Sequence, residues 1–148
     1  MEVTMESTWI LVADAARARQ FRVERPRGPL IEEAGLVHPE ERLPERELAT
    51  DDPGRARGPG GQQHALGRRD VKRETEAARF AGEVADFLRE AREADRFRRL
   101  YLAASPHFLG ALRQEIDAET AARIVNTWDK DLVGKRADEI RKHLPERL

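Results

Sequence analysis

The 148 residues suffice for one domain, able to bury roughly 70% of its unfolded surface in a single core. The 27 bases and 28 acids nearly cancel, to a net charge of -1, so attraction to a polyanion has to come from a local patch. Cysteine is absent, which excludes disulfides, thiolate zinc sites, iron–sulfur clusters and thiol nucleophiles. No run approaches the ~18 apolar residues of a membrane span. The polar, acidic start Met1–Glu6 has neither the basic end nor the apolar stretch of a signal peptide, so a cytoplasmic location and no membrane partner are expected.

Trp9–Ala13 is a continuous apolar run ending at Asp14, as in a strand buried on both faces. Arg19, Phe21 and Val23 alternate with Gln20, Arg22 and Glu24, which predicts a second, half-exposed strand. After the Pro26–Pro29 turn, Leu30–Val37 reads as a third strand nearer an edge, completing an antiparallel meander. Residues 38 to about 70 have no sustained periodicity and many prolines and glycines, so a long loop is expected there. Its charge changes sign: residues 38–53 carry a net -4, residues 54–73 a net +5.

A helix is expected from about Val71 to Ala94, because Ala77, Phe80, Ala81, Val84, Phe87, Leu88 and Ala91 form one apolar stripe. Leu100–Ala104 is a fourth strand. Ser105-Pro106 starts another helix, with serine as its cap and Phe108, Leu109, Leu112 and Ile116 on its buried face. Arg123–Trp128 is a fifth strand candidate, and Ala137, Ile140 and Leu144 mark a closing helix. The expected fold is a single α/β domain, ribonuclease-H-like, with three α/β/α layers. Its five-stranded mixed sheet joins three antiparallel strands to a parallel pair.

A two-metal nuclease of that fold needs several carboxylates converging on the ions. Asp14, Glu74, Glu76 and Asp129 are available, but the end of the fourth strand reads Ala103-Ala104-Ser105-Pro106 and supplies no acid. Asp14 therefore reads as a turn residue, and Glu74 and Glu76 as acids favouring a helix start. His38, His64, His107 and His143 form no ligand-spaced pair and read as surface or capping residues. Nucleophile elbows and nucleotide-binding glycine fingerprints are missing. No metal or cofactor is expected.

The segment Gly58–Leu66 is the informative one. Paired glycines let the backbone approach a ligand closely, and Gln62 adds an amide. Arg55, Arg57, Arg68, Arg69, Lys72 and Arg73 flank them and suit a phosphate backbone. Gly60-Gly61-Gln62 resembles the Gly-Gly-Gln signature of peptide-chain release factors. The whole order also resembles the middle domain of the archaeal and eukaryotic class-1 factors, where the tripeptide sits in a loop before a long helix. That resemblance implies peptidyl-tRNA hydrolysis, with Gly60, Gly61 and Gln62 as the catalytic tip. It works by positioning water and stabilising oxyanion charge.

A broader resemblance spans nearly the whole chain. Trp9–Asp14, Ala16–Arg19 and Phe21 begin it. His38-Pro39-Glu40 with Arg42, Asp51–Gly54 and Phe80-Ala81 continue it. Ala104–Gly110 with Leu112-Arg113, then Lys130–Leu132, close it. Together they are similar to the bacterial host attachment protein family. The family name implies adhesion, whereas the missing signal peptide implies a protein acting from the cytosol.

The expected function is therefore binding of RNA or the ribosome through the basic segment. Hydrolysis of peptidyl-tRNA is the alternative, and a non-catalytic protein-interaction module is a third reading. The partner is the ribosome, tRNA or another protein. Sequence alone leaves the oligomeric state open.

Overall fold

The computed structural model describes the backbone of residues 7–38 and 59–148, and the side chains of residues 7–38 and 74–148. It contains the strands β1 (Thr8–Ala13), β2 (Arg17–Val23), β3 (Ile31–Val37), β4 (Arg99–Ala104) and β5 (Ile124–Trp128). The helices are α1 (Pro59–Glu93), α2 (Pro106–Glu115), α3 (Ala118–Ala121) and α4 (Ala137–Lys142). The strands form one mixed sheet in the order β3-β2-β1-β4-β5. β1–β2 and β2–β3 are antiparallel, while β1–β4 and β4–β5 are parallel. Thus the expected α/β fold with a five-stranded mixed sheet is present, and β1, β4 and β5 run in the same direction.

Alternation along the central strands sends side chains to two separate cores. Trp9, Leu11, Leu100 and Leu102 meet α1 and α2, including Phe80, Val84, Leu88, Phe108 and Leu112. Ile10, Val12, Phe21 and Tyr101 on the other face meet Leu132, Val133, Ile140 and Leu144 around α4. Both faces of β1 are covered, which is why its sequence is continuously apolar.

β2 is more buried than its alternation implies. Its alternation puts Gln20 towards water, but Gln20 is 1% exposed, because β2 is flanked by strands on both sides and packed on both faces. Its amide donates to Glu33 Oε1 at 3.0 Å, which satisfies the buried group. Pairing with β1 is regular here, so Gln20 lies opposite Leu11 on the α1 face and Phe21 opposite Ile10 on the α4 face, while the bulge in the β2–β3 pairing leaves Glu33, the partner of Gln20, as the extra residue of β3.

Helix α1 begins at Pro59, well before the expected start near Val71, so 59–70 is helical rather than loop. Proline is tolerated in a first helical turn, and the Gln62–Leu66 run contains reasonable helix formers between the glycines. Glu74 and Glu76 consequently lie in the helix interior, not at its start. The helix ends where Asp95 takes a left-handed φ of 59°. The Asp95 N–H donates to the Arg92 carbonyl and the Arg96 N–H to that of Ala91, both at 2.9 Å.

The Arg92 side chain then ties α1 to α3. It donates to Thr120 Oγ1 at 3.0 Å and to Asp117 Oδ2 at 3.2 Å, and pairs with Glu119. The Thr120 hydroxyl and the Arg92 charge hold the Asp117 carboxyl below its ordinary range. Ser105 occupies the cap position of α2 with no capping bond from its side chain. Its backbone N–H instead donates to the Ala13 carbonyl at 3.2 Å, extending the β1–β4 ladder, while Pro106 sets the first turn. At the other end of the sheet, Arg141 donates to the carbonyls of Pro26, Gly28, Pro145 and Glu146, stapling the 26–28 turn to the chain's end.

Candidate functional site

In α/β sheets the carboxyl ends of parallel strands are the usual place for ligands. Here that edge begins at Asp14, directly after β1. Its Oδ1 accepts the N–H groups of Ala16 and Arg17, each at 2.9 Å, so Asp14 is the turn residue its sequence suggested. Ala16 in turn accepts the N–H of His38 at 2.9 Å. The His38 ring stacks on Phe80 with centroids 5.2 Å apart, and Phe80 lies 5.7 Å from Phe108. His38 is 1% exposed, which corrects its reading as a surface residue. It is buried because β3 carries it under α1. The other two histidines with described side chains, His107 and His143, are exposed.

These contacts orient α1. Phe80 sits at the carboxyl edge, against His38, while Phe87 stacks on Trp9 near the start of β1, at 5.9 Å. The helix therefore runs antiparallel to β1. Upstream of Phe80 it continues past the carboxyl edge. Its 35 residues span roughly 52 Å, whereas the six-residue strand β1 spans roughly 20 Å.

Gly60, Gly61 and Gln62 fall in the first turn of α1. Arg68, Arg69, Lys72 and Arg73 follow two to four turns later. Steps of four place Arg68 with Lys72, and Arg69 with Arg73, along one side of the helix. The backbone thus gathers these seven candidates on one rod. Arg55 and Arg57 lie outside the described residues. Among the described residues no group of His, Asp and Glu has metal-binding geometry.

The fold also assembles a second cationic feature, beside β2 and β3. A groove of about 510 Å³ lies between β2, β3 and the 134–136 loop. Its described lining includes Arg17, Arg19, Lys135 and Arg136 against one acid, Glu32. Arg19 grips Glu32 with two bonds of 2.9–3.0 Å and donates to the carbonyls of Val133 and Lys135 at 2.7 Å. That ion pair also holds the Glu32 carboxyl below its ordinary range. The Arg17 guanidinium donates to the Val133 carbonyl at 3.2 Å. The signal for this groove was in the Ala16–Arg19 run, but its other wall comes from more than a hundred residues away. No local pattern joins the two.

Several of the described residues that carry the family resemblance are thus scattered in sequence and close in space, while Pro39, Glu40, Arg42 and Asp51–Gly54 lie outside the described residues. Asp14 and Ala16 shape the turn, and Arg17 and Arg19 hold the 133–135 loop that follows Leu132. His38 stacks on Phe80, and Phe108 packs against Phe80 at a tilt, beneath the turn. No helix among the described residues is long and apolar enough to cross a membrane. No curated protein matches the chain. The sequence pattern of the family described as "Protein required for attachment to host cells" matches residues 9–144, nearly the whole of the packed sheet and its helices, and the chain belongs to that family.

Proposed function

We propose that this member of the host attachment family binds RNA, facing the ribosome or a tRNA, through the amino-terminal part of α1. One observation carries the reading. Arg68, Arg69, Lys72 and Arg73 share one side of a helix that runs on beyond the carboxyl edge of the sheet. Residues 54–73 bring a net +5 to a chain whose total charge is -1, so the charge is local. A rod with cations at four-residue steps can follow a phosphate backbone, and each neutralised phosphate releases counterions. The strand order, with β1, β4 and β5 parallel, supports the ribonuclease-H-like reading of the fold and with it the likeness to the release-factor middle domain. The test is fluorescence anisotropy with a labelled single-stranded RNA. Binding that weakens steadily as salt rises is expected; absence of binding at low salt overturns the reading.

The position of Gly60-Gly61-Gln62 favours hydrolysis of peptidyl-tRNA as a second reading. An α-helix leaves its first amides without intrahelical acceptors, and here those belong to the two glycines. Such donors suit a developing oxyanion, and Gln62 follows them directly in the sequence. If ribosome-bound peptidyl-tRNA is released by the protein, Gln62→Ala should lower the release rate by about a hundredfold or more. Binding should persist. Release at the unaltered rate excludes a role for Gln62 in it.

A further inference from the structure

We propose that the groove beside β2 and β3 is a separate binding site for a phosphomonoester of nucleotide size. It lies on the α4 face of the sheet. Arg17, Arg19 and Phe21 share that face, and Phe21 packs in the core with Ile140 and Leu144. Helix α1 covers the opposite face, so the site uses no residue of the RNA-binding proposal and stands independently of it.

The cations there divide into two kinds. Arg19 is spent on structure, since Glu32 and the carbonyls of Val133 and Lys135 occupy its guanidinium. Its grip fixes the 133–135 loop over the sheet, which preorganises the wall carrying Lys135 and Arg136. Among the described residues Arg17 has one side-chain hydrogen bond, to the Val133 carbonyl, which leaves most of its donors for a ligand. Lys135 has no ion-pair partner among the described residues, and Arg136 has only Asp138 at 3.4 Å. With Glu32 matched to Arg19, three cations remain for one ligand among the described residues. A dianionic phosphate satisfies three cations better than a monoanionic carboxylate does, and the Arg17 fork can grip two of its oxygens.

The floor supplies the rest of the ligand's requirements. Gly35 pairs with Arg19 and puts no side chain into the groove, and the Val37 side chain beside it is 44% exposed. A bare backbone strip next to an exposed apolar side chain suits a sugar or flat ring. The volume of about 510 Å³ is that of a small-molecule site. Gly35 also offers a way to close the groove. A Cβ added there meets only the Ala18 carbonyl oxygen, at 3.6 Å, an ordinary contact. Its φ is not positive, so a β-branched residue fits the strand while filling the space.

The experiment is a titration of the full chain, followed through the amide signals of Gly35 and Gly134. The probes are adenosine 5′-monophosphate, inorganic phosphate and adenosine. Saturable shifts with the monophosphate are expected, with adenosine weaker by at least about tenfold. The double variant Lys135→Glu/Arg136→Glu should weaken the monophosphate by at least about tenfold, and Gly35→Val should do the same by occupying the groove. A variant reversing Arg68, Arg69, Lys72 and Arg73 should bind it as the wild type does, which separates this site from the RNA-binding one. The proposal is overturned by any of three results. They are no saturable shift up to about 10 mM monophosphate, equal binding of adenosine, or undiminished binding by the double variant.

Discussion

Reversing Arg68, Arg69, Lys72 and Arg73 to glutamate is expected to abolish most RNA binding and nearly all of its salt dependence. Four phosphate contacts on a single strand give a slope of about -3 in the logarithm of affinity against that of salt. The wild-type affinity should therefore fall about fiftyfold between about 50 and 200 mM salt. The reversed variant should bind weakly at both, with a slope near zero. Glutamate is a good helix former, so the substitution reverses the charge while leaving the backbone of α1 in place. Circular dichroism of the variant should match the wild type, and anisotropy reads the binding. An unchanged affinity would show that the cations of α1 do not carry it.

The second large effect concerns the junction that supports α1. Phe80 is fully buried and stacks on His38 and against Phe108. Phe80→Ala should cost about 3–5 kcal/mol, because the surroundings can collapse only partly around the lost ring. In a chain of this size that corresponds to a melting temperature lower by roughly 10–15 °C. Val125→Ala is the internal control. Val125 is 48% exposed on the edge strand β5, and its truncation should stay within about 0.5 kcal/mol. Urea titration measures both. A loss below about 1 kcal/mol at Phe80 would mean that α1 is not anchored there.

Much of the architecture was legible because burial writes itself into short patterns. The run Trp9–Ala13 is apolar throughout since both faces of β1 are covered, and the stripe from Ala77 to Ala91 marks the part of α1 that packs on the sheet. Periodicity fails once packing stops constraining it. Helix α1 upstream of Ala77 has no stripe, so its start at Pro59 could not be read from apolar spacing. Gln20 misled for the opposite reason: tertiary burial overrode its polarity, with Glu33 as the compensating partner. His38 carried no apolar signature, yet a strand pairing and a ring stack bury it. The Gly-Gly-Gln tripeptide and the cations near it were visible by composition. The groove was not, because Arg17 and Lys135 are joined by Arg19's bonds across the fold and by nothing in the sequence between them.

The amino-terminal part of α1 as the RNA-contacting surface is tested most directly by ultraviolet crosslinking of the wild-type protein to RNA, with the crosslinked peptides mapped by mass spectrometry. Crosslinks concentrated within residues 59–73 and lost at high salt are the expected result. Crosslinks confined to the β5 edge or the turn at residues 26–28, or none at low salt, would contradict it.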